Sequence, residues 1–208
     1  MKRQIAPVEN NYEKSQTYKK MMAKHSKAIN NGFYFEALMI EYAMIEDRLI
    51  AFLYHSGAIN NRMAKPKIGS KKTKGIIQCM VDTCFECNVK NLGITSISGK
   101  INIVYALLKC GSFEDYITDN NYTAALKSVY NTKLNVQQFL TVLDDLREWC
   151  SCRNEVVHAM LNKNVIDLSG KAKLLANQGI AFARYIDNCV GAIKKGNKIR
   201  KAANLPIK

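Results

Sequence analysis

Apolar residues recur along this chain at steps of three and four, the period of an α-helix that buries one face. The clearest run spans 33–56, where Phe35, Leu38, Tyr42, Ile45, Leu49 and Phe52 form one stripe and Glu36, Glu46 and Asp47 stand off it. A polar, Lys-rich helix is expected ahead of it at 11–29. Further helices are expected at 75–88, 100–111, 113–130, 134–162 and 168–195. In the last of these Leu175, Phe182, Ile186, Cys189 and Ile193 make the stripe. Residues 94–103 have some β character, but Ser98, Gly99 and Lys100 interrupt it and read better as a helix start. With no hairpin signal and no internal repeat, the pattern predicts a compact all-α bundle of five to seven helices in one domain, 1–208.

Two stretches fall outside that pattern. Residues 57–74 carry glycines and a proline without apolar periodicity, and read as a loop crowded by Lys65, Lys67, Lys71, Lys72 and Lys74. Residues 194–208, with Lys194, Lys195, Lys198, Arg200 and Lys201, read as a frayed basic tail. Both contribute to a formal charge of +14, which favours a polyanionic partner over a basic or neutral one. The longest apolar runs are broken by charges well short of a membrane span, so no membrane partner is expected. The first residues lack the apolar core of a secretory signal, and seven cysteines at irregular spacing do not resemble a disulfide framework. The expectation is a cytoplasmic protein with reduced thiols.

One segment is chemically loaded, from Glu148 through Trp149, Cys150, Ser151, Cys152, Arg153, Asn154, Glu155, Val156 and Val157 to His158. On a single helix Phe139, Leu143, Leu146, Cys150 and Val157 share an apolar face, and Arg147, Ser151, Asn154 and His158 share a polar stripe. Arg153 falls on the apolar face, where a guanidinium is costly unless it is paired or lies at an interface. Arg153 and His158 are five residues apart and so point about 140° away from each other on an ideal helix. For both to act on one substrate, the helix must break near Ser151, which suits an N-cap, or a second copy must bring its own segment alongside.

The string Arg153-Asn154-Glu155-Val156-Val157-His158, followed by Ala159-Met160-Leu161, resembles the R-x4-H motif of the HEPN superfamily. The resemblance implies a HEPN-like helical bundle, a homodimer in which both motifs line one cleft, and a metal-independent endoribonuclease needing no cofactor. It also implies a setting in a microbial toxin–antitoxin or anti-phage system, with RNA as substrate and an antitoxin or regulatory protein as partner. In such a site His158 serves as general base or acid, because an imidazole titrates near neutrality. Arg153 donates paired hydrogen bonds to the scissile phosphate, and Asn154 orients His158 or touches the phosphate. Attack by the ribose 2′-hydroxyl leaves a 2′,3′-cyclic phosphate and a 5′-hydroxyl. Lys65, Lys67, Lys71, Lys72, Lys74 and Arg147 are the expected backbone contacts. The chain departs from some HEPN toxins at Met160, where those carry a tyrosine that an antitoxin modifies.

Other readings stand beside this one. Arg153 and His158 could simply bond carboxylates of a facing helix, such as Glu41 or Glu46, in a catalytically inactive helical nucleic-acid-binding or adaptor protein. Cys79, Cys84 and Cys87 with Cys150 and Cys152 could supply zinc ligands, but the segment lacks knuckle glycines and buried small hydrophobes are the expected role. His25 is expected in solvent, and His55 beside the dipole of the helix it ends. Gly69-Ser70-Lys71-Lys72-Thr73 lacks the spacing of a phosphate loop.

Overall fold

The computed structural model describes residues 11–62, 66–85, 92–113, 120–159 and 164–206. The helices are α1 (Asn11–Asn30), α2 (Tyr34–His55), α3 (Lys71–Phe85), α4 (Ile97–Ser112), α5 (Asn121–Lys133), α6 (Val136–His158), α7 (Val165–Ala176), α8 (Gly179–Ile193) and α9 (Lys198–Ala202). A 3₁₀ turn, Lys195–Asn197, joins the last two. Among the described residues the β structure is limited to one isolated antiparallel bridge, Ile59 to Ile68. The class is all-α, with more helices than the periodicity alone suggests. Expected helical residues 86–88, 114–119 and 160–162 lie outside the described ones.

Side-chain caps place several helix starts. Ser70 Oγ accepts the Thr73 N–H at 3.1 Å, so α3 begins at Lys71, and Lys71, Lys72 and Lys74 open a helix instead of filling a loop. Ser96 Oγ accepts the Gly99 N–H at 3.0 Å at the start of α4. Asn120 does the same for Tyr122 and Thr123, and Asn135 for Gln138, ahead of α5 and α6. What remains of the 57–74 loop is pinned: the Asn60 N–H donates to the Lys67 carbonyl and the Gly69 N–H to that of Ala58, both at 3.0 Å.

The long helix expected at 168–195 is two helices, broken at Asn177–Gln178. The break has a steric reason. Gly179, first in α8, lies so close to the buried Glu41 that a Cβ there would come within 2.9 Å of its Cβ, Cδ and Oε2. α8 therefore starts on a residue without a side chain and lies against α2. Trp149 of α6 fastens the end of α7 by donating its indole N–H to the Leu175 carbonyl at 3.0 Å.

α2 is the central element and packs on α1, α4, α7 and α8. Leu38, Ile45, Leu49 and Phe52 of the expected stripe are buried, with Phe35 and Tyr42 partly covered. One turn near its end, Ala51 through Tyr54, is buried all round. There Phe52 meets Phe139 edge-on at 5.1 Å and Tyr130 at 5.9 Å, and Phe139 continues to Tyr185 at 5.4 Å.

Because α2 ends inside the protein, its terminal carbonyls need partners. Gly57, with φ of +70°, turns the chain away between Tyr122 and Ala203. Tyr122 donates to the Ser56 carbonyl at 2.9 Å and Tyr130 to the Ser56 hydroxyl at 2.7 Å. The tail expected to fray supplies the rest. Arg200, fully buried in α9, donates to the carbonyls of Tyr54 (2.7 Å), Ile59 (3.0 Å), Asn60 (3.3 Å) and Pro206 (2.8 and 3.2 Å). Every guanidinium N–H is thereby used. Its carbon also sits 3.6 Å from the Tyr54 ring centroid. Arg200→Met orphans these buried carbonyls and is expected to cost at least about 3 kcal/mol. Urea unfolding is the check, and an unchanged midpoint would show that Arg200 carries no such role.

Candidate functional site

α6 runs without interruption from Val136 to His158, so the helix start considered at Ser151 does not occur, and Ser151 is exposed in mid-helix. Phe139, Leu143, Leu146 and Cys150 are buried, Val157 is half-buried, and Asn154 and His158 are exposed. Arg153 is buried on the apolar side, 9% exposed. Arg153 and Asn154 come together, with the guanidinium Nη1 donating to Asn154 Oδ1 at 3.1 Å. His158 does not join them. On a continuous helix it points about 140° away from Arg153 and lies roughly 7 Å further along the axis.

The surroundings of Arg153 are unusual for a buried cation. Its Nη2 meets the thioether of Met39 at 2.7 Å, and its carbon lies 4.5 Å from the Tyr42 ring centroid. Its Nε is buried with no hydrogen-bond partner. No carboxylate among the described residues pairs with it, and the two facing candidates bond elsewhere. Glu41 Oε1 is 2.8 Å from His25 Nε2, and Glu46 accepts from the buried Lys100 at 2.7 Å. The simple reading in which Glu41 or Glu46 neutralises Arg153 is therefore not realised. The charge reaches its neighbours all the same. Burial pushes the Cys150 thiol up to about 11 and raises the Tyr42 phenol, and Arg153 opposes both shifts. Met39, the neighbour on its open side, is 54% exposed. A guanidinium held by one amide oxygen and one sulfur keeps donors available for an incoming oxyanion.

Lys67, Lys71, Lys72 and Lys74 are exposed, and Lys65 lies outside the described residues. Arg147 is half-buried, 4.5 Å from the Tyr105 ring centroid and 5.4 Å from that of Phe85. It donates to Asn102 Oδ1 at 3.3 Å and pairs with Asp144, so the fold itself uses part of its capacity.

Three features escaped the sequence reading. His25 is buried rather than solvated. Burial pushes Glu41 up to about 8, against the Ile180 N–H, and pushes His25 down, against the Ala176 carbonyl. Burial thus favours the uncharged form of each partner across the 2.8 Å contact between His25 Nε2 and Glu41 Oε1. A signal existed, since Tyr18, Met22, His25 and Ile29 stand at helical spacing and all pack inward. His55 does not serve the α2 dipole as an imidazolium. Burial, then Arg62, Arg200 and Lys194, push it down to about 4, and its Nδ1 is buried without a partner. Finally, Cys84 Sγ lies 3.5 Å from Cys110 Sγ, not in a zinc knuckle. The Cys110 hydrogen bond pulls Cys84 down to about 7 and leaves Cys110 raised. Cys79 is exposed and Cys87 lies outside the described residues, among which no three His, Cys, Asp or Glu side chains converge as metal ligands.

Two predictions follow from these environments. Arg153→Met replaces a buried, acid-free guanidinium with an apolar chain of similar length, so it is expected to stabilise the protein by about 1–2 kcal/mol. A loss in urea unfolding would mean that the arginine is structural. His55 is neutral in the fold down to about 4 but protonates near 6.5 once unfolded. Stability present above pH 6.5 is therefore lost as pH falls through 4, by up to about 3 kcal/mol. In a phosphate-free buffer, His55→Gln should flatten this part of the stability profile.

No helix among the described residues is long and apolar enough to cross a membrane. No protein-family model, no curated protein and no solved structure matches the chain.

Proposed function

We propose that this protein is a metal-independent endoribonuclease of HEPN type, acting as a homodimer. The observation that carries the reading is Arg153, a buried guanidinium without an ion pair among the described residues, next to Asn154 in an R-x4-H string whose histidine is exposed. A structural arginine with this burial would be matched by a carboxylate or a set of carbonyls, as Arg200 is. The charge of +14 and the exposed lysines at the start of α3 suit an RNA backbone.

Chemically, Arg153 stabilises charge developing on the phosphate oxygens, and His158 moves a proton between the 2′-hydroxyl and the leaving 5′-oxygen. Since one uninterrupted helix turns these two groups apart, the acting pair comes from two chains: Arg153 of one and His158 of the other. An inactive RNA-binding role remains the second reading, favoured by the Asn154 oxygen already engaging the guanidinium.

The test is cleavage of labelled RNA by purified protein with a chelator present, wild type beside Arg153→Ala and His158→Ala. Wild type is expected to leave 2′,3′-cyclic and 5′-hydroxyl ends and to spare DNA, and each variant to lose at least about 100-fold in rate. Mixing the two variants should restore cleavage, because one Arg153 and one His158 then meet across the dimer. Equal cleavage by all three proteins would place the activity elsewhere. RNA binding without cleavage by wild type would leave the second reading.

A further inference from the structure

A second group of cations lies at the other end of α2, thirteen residues and roughly 20 Å along the axis from Tyr42, which faces Arg153. Its centre is the Tyr54 ring. The Arg200 carbon is 3.6 Å from that ring's centroid and the Arg62 carbon 6.0 Å, and the His55 ring meets it edge-on at 5.1 Å. Lys194, where α8 ends, is close enough to act on His55.

The four positions differ in how fully they are satisfied. Arg200 uses its donors on backbone carbonyls. Arg62 and His55 do not: Arg62 Nε and His55 Nδ1 are buried with no hydrogen-bond partner. None of Arg62, His55, Lys194 and Arg200 has an ion pair among the described residues. Lys14, itself paired with Asp47, is a further cation that feels the charge of Arg62. The imidazole accordingly gives up its own proton, pushed down to about 4 by burial and by these three cations. Like charges gathered without ion pairs of their own, together with unspent donors at a half-open surface, are what an anion site looks like before its ligand arrives. The spare donors are a forked guanidinium, an imidazole and an ammonium, and that set matches the tetrahedral oxygens of a phosphate.

We propose that His55, Arg62 and Lys194, seated on the Tyr54–Arg200 lock, form a binding site for a phosphate group. The site is independent of the nuclease reading, since it shares no residue with Arg153, Asn154 or His158. Bound phosphate relieves the repulsion around the imidazole and spends the free Arg62 and His55 nitrogens. It also places a ligand beside the carbonyls that Arg200 holds, tying occupancy to the closure of this end of the bundle.

The experiment follows the His55 imidazole by NMR in the full chain while inorganic phosphate is added, with sodium chloride at matched ionic strength as control. Phosphate is expected to shift the His55 signals saturably and raise its pKa by about one unit, while chloride does neither. Arg62→Gln and Lys194→Gln should each weaken phosphate at least about tenfold, with His25 signals reporting an intact fold. A 5′-mononucleotide that binds tighter than inorganic phosphate would identify a free nucleotide as the source. A short oligoribonucleotide that does so would identify the RNA backbone. No saturable shift up to millimolar phosphate, an equal response to chloride, or an undiminished response in both variants would overturn the site.

Discussion

An α-helix that ends inside a protein leaves carbonyl groups that water cannot reach, and α2 ends inside this one. The turn from Ala51 to Tyr54 is buried on every side, and the carbonyls that follow it would each be expensive to strand. The arrangement of the lower half of the bundle answers that constraint. Gly57 turns the chain, α5 offers two tyrosine hydroxyls to Ser56, Ala58 and Asn60 bond Gly69 and Lys67, and α9 delivers a guanidinium with the geometry to reach several carbonyls together. A lysine could not replace it, since an ammonium has fewer donors and no planar fork.

The two buried arginines make a contrast that bears on function. Arg200 is surrounded by oxygen and belongs to the architecture. Arg153 is surrounded by an aromatic face, a thioether and one amide, and its Nε has no partner. The molecule has acids that could have met it, Glu41 and Glu46, yet one holds an imidazole and the other a buried lysine. The fold surrounds one guanidinium with oxygen and leaves the other without an ion pair among the described residues.

Most of the architecture was legible because it rests on local periodicity. The α2 stripe from Leu38 to Phe52 and the α6 face from Phe139 to Cys150 are buried as their spacing requires. The position of Arg153 on the apolar side of α6 was legible for the same reason. What periodicity cannot carry is pairing across distant segments. Glu41 stands in register with Leu38 and Ile45 on the buried face, but its meaning depends on His25 in another helix and on Gly179 far along the chain. Arg200 sits among lysines in a stretch that reads as solvated, and only the carbonyls of residues 54–60 give it a reason to be inside. The break at 177–178 was hidden because Leu175 and Phe182 keep helical spacing across it. The candidate site was legible as a motif, while the uninterrupted helix that keeps Arg153 and His158 apart became clear only in three dimensions.

The Arg200 lock also sets a schedule. Its hydrogen bonds to Tyr54 and Ile59 span 146 and 141 residues of sequence, and those to Pro206 reach the last described residue. During synthesis the helices around α2 can collapse early, but the polar end of that helix stays open until residue 206 has cleared the ribosome. Contacts this distant come late in folding, because the closure entropy of the whole intervening chain must be overcome first.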